Sequence, residues 1–452
     1  MARSHARGDA RTPSRPSYRR AATLTLAALV LLLTASPARP APPVHREVLP
    51  NGIVLLVVER PAVPIVAVRV YSRAGAVFEP SDRAGLANLT GALVTRGTAK
   101  RTGQQVDAAI EFVGGQLEAS AGRDGFVAWL SVLKRDLTLG LDLLSEVILA
   151  PTFPEAELKR KTAQIQAAIQ RSEESPATVA SRALAPLVFP GHPYARPVEG
   201  TRQSVASLTR DDVVRFYGDH VRPDTTIIAM VGAVTVDEAR RAIVTRFGAW
   251  PRPTTPAATV PFASPGSGPG TDTIKRDLTQ TTLMFGRQAV NQRDPDYFPL
   301  TVASYILGGG STSRLYTRVR DEGGLAYDVR SHLSPGKYGA SFVVSTQTRA
   351  AETAKVRGLL DGELSRMRSD PVSERELTIA KDYLIGSFPL RLDTSSKTAD
   401  FVVGVEEMAL GLDYADRYRE LVSRVTAADV QRVAVKYFDP AAFSRVVVGQ
   451  VP

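Results

Sequence analysis

A helix–strand block occurs twice in this chain, 217 positions apart, and this repeat limits the possible folds more than any other feature. The first copy runs over 207–232 and the second over 424–449. The following identical residues recur in register without a gap: Thr209 and Thr426, Asp212 and Asp429, Val213 and Val430, Pro223 and Pro440, Gly232 and Gly449. In each copy a Thr with an Asp three residues later is typical of a helix start, and the apolar run that follows predicts a strand. The repeat therefore predicts two homologous halves.

The order of the predicted elements indicates the fold class. Val54–Val58, Ile65–Val70 and Phe126–Leu133 have the apolar, β-branched composition of buried strands. Gly85–Thr98 and Leu137–Ile148 carry apolar residues at helical spacing. The strands follow one another as hairpins instead of alternating strictly with helices. We therefore expect an α+β fold in which each half is a mostly antiparallel sheet covered by helices.

A segment rich in Pro, Gly, Ser and Thr separates the two halves. It runs over 251–270 and predicts an extended linker on the protein surface. We therefore divide the chain into a signal peptide at 1–41, an N-terminal half at 42–250, a linker at 251–272 and a C-terminal half at 273–452.

The first 41 residues have the pattern of a secretory leader. Basic residues precede an apolar run at Ala21–Ala35 and small residues follow it, so we expect cleavage near Ala38 or Ala41. The apolar run of 15 residues is short for a membrane span, and an uncleaved anchor is the alternative. Because the chain has no Cys that could carry a lipid anchor, we expect a periplasmic protein that is soluble after cleavage.

Charge and cysteine content exclude several classes of function. The formal net charge is +10, and the leader, with seven Arg and one Asp, contributes +6 of it. The remaining +4 is too balanced to predict nucleic-acid binding. The absence of Cys excludes disulfides, thiolate zinc sites and Cys nucleophiles. The five His residues contain no pair at helical ligand spacing, so they predict no metal site.

The segment Leu307–Tyr327 is a candidate site. A run of three glycines from Gly308 to Gly310 follows an apolar stretch and predicts a sharp helix end or a close backbone contact. Arg320 and Tyr327 are expected on either side of a helix-to-strand corner, where a guanidinium and a phenol could bind one carbonyl or carboxylate. The alternative is that Arg320 pairs with a surface acid and that Tyr327 fills the core.

Gly85–Thr98 reads G-L-A-N-L-T-G-A-L-V-T-R-G-T and resembles the signature helix of the pitrilysin/insulysin-type zinc peptidases. The pattern of that family is roughly G-L-A-H-x-x-E-H-x-x-x-x-G-T. The likeness continues at Gly114–Ala119, Pro151–Phe153 and Gly191–Pro193, and it resumes at Leu307–Tyr327. It covers nearly the whole chain after the leader and includes the organisation in two halves.

The chain departs from this family at each position that would hold or serve zinc. The two ligand His positions carry Asn88 and Ala92, and the general-base Glu position carries Gly91. A third ligand, a Glu of the long polar helix, falls on Ala168 in the same alignment. None of these side chains offers an imidazole, a carboxylate or a base. The resemblance therefore implies a degenerate zinc site and no cofactor in this chain.

The family feature of the second half is retained. Members that act in pairs use an Arg and a Tyr seven residues apart to bind the substrate backbone and to stabilise the tetrahedral intermediate, and Arg320 and Tyr327 match that spacing. Gly308, Gly309 and Gly310 resemble, in shortened form, the glycine-rich loop of the non-catalytic subunit of mitochondrial processing peptidases, which implies substrate binding. A plain helix end is the alternative for these glycines.

The resemblance implies a metal-free, substrate-binding subunit of a heterodimeric zinc peptidase that degrades or processes peptides. Arg320 and Tyr327 would act in trans beside a zinc-bearing paralogous partner, and zinc would be a cofactor of that partner alone. A purely structural core subunit and a stand-alone peptide-binding protein are the alternatives. We expect no nucleic acid as a partner and, after cleavage of the leader, no membrane.

Overall fold

The computed structural model describes residues 43–264, 266 and 268–450, so the predicted leader lies outside the described residues. The strands of the described part are β1 (His45–Val48), β2 (Val54–Glu59), β3 (Ile65–Ser72), β4 (Gln116–Ala121), β5 (Phe126–Leu133), β6 (Thr226–Gly232), β7 (Thr271–Lys275), β8 (Gln280–Gln288), β9 (Ala326–Pro335), β10 (Ala340–Arg349) and β11 (Ser444–Gly449).

The helices of the described part are α1 (Leu86–Leu93), α2 (Gly103–Phe112), α3 (Leu137–Leu149), α4 (Glu155–Ser172), α5 (Pro176–Val188), α6 (Arg202–Ala206), α7 (Arg210–His220), α8 (Val236–Phe247), α9 (Tyr297–Gly308), α10 (Thr353–Ser369), α11 (Glu374–Ser387), α12 (Ser395–Glu407), α13 (Tyr414–Ser423) and α14 (Ala427–Tyr437). Among these described helices, none combines the length and the apolar character that crossing a bilayer requires.

The strands form two sheets with the same topology. The first sheet has the order β1-β2-β6-β3-β5-β4 and the second has the order β7-β11-β8-β10-β9. In each sheet one pair of neighbours is parallel, β2 with β6 and β7 with β11, and the other pairs are antiparallel. Apart from β1, the two sheets correspond strand for strand. The α+β fold of two similar halves predicted from the sequence is therefore confirmed.

The repeated block has the same structure in both halves. Thr209 and Thr426 cap helices α7 and α14, and each forms a capping box with the Asp three residues later. A short 3₁₀ turn that begins at the repeated proline leads into β6 or β11. Each of these strands ends at a glycine with positive φ, +144° at Gly232 and +143° at Gly449. The repeat in the sequence thus corresponds to one structural unit that is used twice.

Each sheet packs the helices of its own half against one face. In the first half, Val66, Val68 and Val70 of β3 are buried in a core with Leu89 of α1 and Leu144 of α3. The matching core of the second half lies between its sheet and the helices α9, α10 and α14. These two cores hold most of the buried aliphatic side chains, so each half has its own hydrophobic centre.

The opposite face of each sheet is covered by a helix from the other half. Helix α5 packs Leu184 and Val188 against strands β8 and β11 of the second sheet. Helix α12 packs Ala399, Val402 and Val403 against strands β3 and β6 of the first sheet. Both faces of the central strands are therefore buried, and this explains why the sequences of β6 and β11 are almost continuously apolar.

Polar contacts also join the two halves. Arg69 of β3 forms a two-pronged ion pair with Asp400 of α12, with N–O distances of 2.5 and 3.1 Å. The Tyr194 hydroxyl donates to Asp124 in the turn between β4 and β5. It also accepts the backbone N–H of Tyr338, in the equivalent turn between β9 and β10, at 3.1 Å. The two hairpin turns that correspond in the repeat are thus linked through one tyrosine.

The predicted linker is held against the rest of the chain. Where the structure describes it, the segment 251–270 contains neither helix nor strand. Arg222 of the first half donates to the carbonyl of Thr255. The N–H of Ala263 donates to the carbonyl of Tyr338 in the second half at 2.7 Å. The segment therefore contacts both halves on its way from one to the other.

The two repeated strand-end glycines make a prediction about stability. A Cβ at Gly232 would lie 2.1 Å from the carbonyl oxygen of Ile65, whereas a Cβ at Gly449 would lie 2.9 Å from its nearest neighbour. We expect Gly232→Ala to lower the free energy of unfolding by about 2–3 kcal/mol, because both the positive φ and the contact oppose a side chain. Gly449→Ala should lower the free energy of unfolding by a smaller amount, because its contact is longer. Urea denaturation measures the order of the variants.

Gly218→Ala is the matched control for these variants. Gly218 lies on helix α7 with no atom within 4 Å of an added Cβ. Alanine there should raise the free energy of unfolding by up to about 1 kcal/mol, because it favours the helix. A Gly232→Ala protein as stable as the wild type would contradict the structure at this strand end.

Candidate functional site

The corner between helix α9 and strand β9 carries Arg320 and Tyr327. Tyr316–Asp321 forms a short π-helix, and the N–H of Glu322 donates to the carbonyl of Thr317 at 2.9 Å. The sequence predicts a helical segment here but does not reveal this wider turn. Short π-helices are rare and often occur at functional sites. Strand β9 begins directly after the corner, as the sequence predicts.

The Arg320 guanidinium lies between two aromatic rings. Its central carbon is 4.6 Å from the ring centroid of Tyr327 and 4.8 Å from that of Tyr316. In the part of the chain that the structure describes, Arg320 forms no ion pair with an acidic side chain. Tyr327 is 83% exposed and does not fill the core. The structure therefore brings Arg320 and Tyr327 together, as the first of the two sequence interpretations expects.

This arrangement presents two hydrogen-bond donors side by side. Stacking uses the faces of the guanidinium, so its in-plane N–H groups stay free to donate. A cation held over an aromatic ring is also stabilised by the ring quadrupole, by about 0.5–1 kcal/mol at an exposed site. The phenol hydroxyl of Tyr327 is a second donor on the same exposed corner. Together the two groups suit an oxygen that carries or gains negative charge.

Only two of the three glycines lie outside helix α9. Gly308 is the last residue of the helix, and a Cβ there would lie 2.5 Å from the backbone nitrogen of Ser331 on β9. Gly309 is exposed, and a Cβ added to it would lie 2.6 Å from the Cα of Tyr305. Neither these two residues nor Gly310 has a positive φ, so Gly308 permits a close contact and not a left-handed turn. Substrate binding by the three glycines stays a prediction.

Helix α1 carries three of the positions at which the family resemblance places zinc chemistry. Asn88 and Ala92 are half-buried, while Ala168 of α4 is exposed. A Cβ at Gly91 would lie 2.5 Å from the backbone nitrogen of Ala121 on β4, so a glutamate fits there only if the helix or the strand moves. These residues do not fit a zinc ion. Within the described ranges, no group of three His, Cys, Asp or Glu residues could hold a metal.

Gly91 and Gly308 are equivalent positions in the two halves. They are 217 residues apart, which is the offset of the repeat, and each brings a helix into backbone contact with an edge strand, β4 or β9. The same offset pairs Asn88 with Tyr305, whose ring stacks on Tyr383 of α11 at 4.6 Å. The sequence interpretation treated the two glycines separately, although the repeat offset was a signal that could have paired them.

Glu79 holds the start of helix α1. Its carboxylate accepts the backbone N–H groups of Gly85 at 3.3 Å and Ala87 at 2.7 Å. Arg196 donates to the backbone carbonyl of Glu79 at 3.0 Å. Burial raises the pKa of the Glu79 carboxyl to about 7, because its removal from water outweighs the two backbone donors and the charge of Arg196. A group that titrates near neutral pH therefore lies at the beginning of this helix.

The glycine contacts predict the effect of added side chains. We expect Gly91→Ala and Gly308→Ala each to lower the free energy of unfolding by about 1–3 kcal/mol, because the added methyl meets the backbone of a neighbouring strand. Gly362→Ala, on the open surface of α10, is the control and should not destabilise the protein. Chemical denaturation measures all three. If Gly91→Ala behaves like the control, the helix does not rest on β4.

The pKa of Glu79 predicts a pH dependence. Its folded pKa lies above its unfolded value, so its contribution to stability is complete below about pH 4.5 and is lost as the pH rises through 7. Relative to Glu79→Gln, which cannot ionise, the wild type should lose about 3 kcal/mol of unfolding free energy between pH 4.5 and pH 8. Denaturation of both proteins across this range measures the difference. A constant difference would show that Glu79 does not titrate there.

Two family models match this chain. Residues 54–202 match the model of the insulinase family, peptidase family M16. Residues 207–384 match the model described as the peptidase M16 inactive domain. The helix with Asn88, Gly91 and Ala92 therefore falls in the first match, and the corner with Arg320 and Tyr327 falls in the second.

Curated relatives extend this match. A protein of Mycobacterium leprae described as an uncharacterized zinc protease is 29% identical over 361 residues, which are 78% of this chain and 80% of that protein. A protein of Bacillus subtilis with the same description is 24% identical over 400 residues, which are 86% of this chain and 94% of that protein.

Solved structures show the same fold. The crystal structure of a peptidase M16 inactive domain from Pseudomonas fluorescens aligns with a TM-score of 0.85 and 25% identity, and covers 90% of this chain and 98% of its own. A protease from Helicobacter pylori has the same fold, with a TM-score of 0.84, 19% identity and coverage of 91% and 100%. The family resemblance predicted from the sequence is confirmed, and the chain belongs to the insulinase/pitrilysin family of peptidase-like proteins, family M16.

Proposed function

We propose that this protein is the metal-free, substrate-binding subunit of a heterodimeric zinc peptidase that degrades or processes peptides. A paralogous partner would supply the zinc, the activated water and the general base. This chain would supply Arg320 and Tyr327 to the same substrate. The observation that supports this division most directly is the half-buried Arg320 held against the exposed ring of Tyr327, in a chain whose zinc-position helix has no room for a base at Gly91.

The two donors suit a reaction in which a carbonyl oxygen gains negative charge. When water attacks a peptide carbonyl, the oxygen becomes an oxyanion, and donors that are already in place stabilise it. The rings of Tyr316 and Tyr327 hold the Arg320 guanidinium before substrate arrives, so less side-chain freedom is lost on binding. Arg320 would donate to a substrate carbonyl, and the Tyr327 hydroxyl would face the developing oxyanion.

We place the assembly in the periplasm. The Arg-rich, then apolar pattern of residues 1–41 is that of an export signal, and the chain has no Cys for lipid attachment. Cleavage would leave the halves at 42–250 and 273–452, joined by the linker at 251–272. The paired subunits would then enclose a peptide between them, with the metal on the partner's side and the Arg320 corner on this side.

Removal of one hydroxyl tests the proposed role. Tyr327→Phe keeps the ring over Arg320 but loses the second donor. In the assembled pair it should lower kcat about a hundredfold, equivalent to about 3 kcal/mol of transition-state stabilisation, and leave assembly unchanged. Peptide-cleavage kinetics and size-exclusion chromatography of the assembled pair measure the two effects.

Tyr383→Phe is the matched control, because Tyr383 is also an exposed tyrosine of the second half and the ring that stacks on Tyr305 is retained. It should leave kcat within about twofold of the wild type. Equal activities of the Tyr327→Phe, Tyr383→Phe and wild-type pairs would reject the role and favour a purely structural subunit. Zinc and cleavage activity in this chain alone would reject the division of labour between two subunits.

A further inference from the structure

Three arginines line a pocket of about 390 Å³ in the first half, close to the start of helix α5. Arg182 comes from α5, Arg123 from the turn between β4 and β5, and Arg196 from the segment before α6. Thr178 and Ser181 of α5 add hydroxyl groups to the wall. The pocket thus collects positive charge and polar donors from three separate parts of the half.

Among the described residues, none of the three guanidinium groups forms an ion pair with an acidic side chain. Within the described residues, Arg182 forms no hydrogen bond or ion pair. The Arg123 side chain is exposed, and its guanidinium lies over the ring of Tyr194, at 4.8 Å from the centroid. Arg196 donates through Nη2 to the backbone carbonyls of Ala76 and Glu79, and among the described residues its Nη1 forms no hydrogen bond. Each arginine therefore keeps donors that a ligand could use.

The fold supports this arrangement. Ala180 and Leu184 face the second sheet, and Arg182 lies between them in sequence and so projects from the opposite side of α5. The pocket also lies beside the first turn of α5, where the helix dipole places a partial positive charge. One carboxylate, that of the exposed Glu199, lines the pocket against the three arginines. The local charge balance thus favours an anion.

The pocket adjoins the zinc-position helix. The backbone of Glu199 contacts the start of α1, because a Cβ at Gly85 would lie 2.8 Å from the Glu199 carbonyl oxygen. On the following helix α6, Ser204 donates to the carbonyl of Ala84 at 2.7 Å. A ligand in the pocket would therefore lie at the end of the helix on which family members hold zinc, within reach of an extended peptide that passes that helix.

We propose that Arg123, Arg182 and Arg196 form a subsite for a carboxylate group of the bound peptide. The planar fork of a guanidinium matches a carboxylate with two parallel hydrogen bonds, which suits either an acidic side chain or a free C-terminus. The inference rests on the proposed function, because it assigns this pocket to the peptide that the subunit binds. It makes this subunit selective for acidic peptides through its first half, independently of the donors at Arg320 and Tyr327.

A set of four labelled peptides tests the subsite. The peptides share one Ala/Gly-rich sequence and carry either Glu or Gln at the centre and either a free or an amidated C-terminus. Fluorescence anisotropy with the purified full chain measures Kd for each. We expect the peptides that carry the preferred carboxylate to bind about tenfold more tightly than the fully neutral peptide, and their advantage to shrink as salt concentration rises. The comparison between Glu and free C-terminus identifies which carboxylate is bound.

Variants test whether the tighter binding of the carboxylate peptides, their advantage over the neutral peptide, depends on the pocket. Arg182→Ala should remove it, with about tenfold weaker binding of the carboxylate peptide and unchanged binding of the neutral one. Arg182→Lys should restore part of it, because the charge is kept and the fork is lost. Glu199→Gln should strengthen carboxylate binding, since it removes the opposing charge. Arg241→Ala is the matched control, because Arg241 is an exposed arginine of α8 outside the pocket.

The outcomes separate this inference from the proposed function. The subsite would be overturned if all four peptides bound equally or if none bound measurably. It would also be overturned if the Arg182→Ala protein bound the peptides as the Arg241→Ala protein does. Competition by inorganic phosphate as strong as that by the carboxylate peptide would assign the pocket to a free anion and also overturn it. If Arg182→Ala weakens carboxylate binding while Tyr327→Phe leaves turnover of the assembled pair unchanged, the subsite stands and the proposed catalytic contribution fails.

Discussion

The exchange of helices α5 and α12 between the two halves is the contact on which the rest of the structure depends. Each helix leaves the core of its own half and buries apolar side chains, such as Leu184 and Val402, against the sheet of the other. A buried aliphatic side chain contributes about 1.5–3 kcal/mol, and here that stabilisation exists only when both halves are folded. The halves therefore form one unit, and the sites on them are held in fixed positions by each other.

Equivalent positions of the two halves carry different side chains. In both halves a helix touches an edge strand through a glycine, Gly91 on β4 and Gly308 on β9. The first half has Asn88 and Ala92 beside this contact and offers no acid, base or metal ligand there. The second half continues into a π-helix that turns Arg320 towards Tyr327. The matching helices thus carry Asn88, Gly91 and Ala92 in the first half and lead to the adjacent Arg320 and Tyr327 in the second.

The arginines give the protein its functional character. Among the described residues, most guanidinium groups pair with Asp, Glu or backbone oxygens, and Arg320 and Arg182 belong to the smaller set that does not. An arginine without an internal acceptor can engage a carbonyl or a carboxylate without breaking a hydrogen bond inside the protein, and it exchanges only its hydrogen bonds with water. Under the proposed function, Arg320 in the second half and Arg182 in the first would each bind a different part of the peptide. The relatives described as zinc proteases are similar to this chain in sequence, while the proposal assigns metal chemistry to a partner.

The sequence by itself determined the two halves and the α+β class, because these follow from a repeat offset and local apolar patterns, and its short-range spacing predicted that Arg320 and Tyr327 could lie close together. Only the tertiary structure decided that α5 and α12 cross between the halves, that the Arg320 segment is a π-helix, and that Arg123, Arg182 and Arg196 meet in one pocket. These features depend on contacts between residues far apart in the chain. Local propensity and periodicity do not report such contacts, because the apolar spacing of an amphipathic helix is the same whether it covers the sheet of its own half or that of the other half.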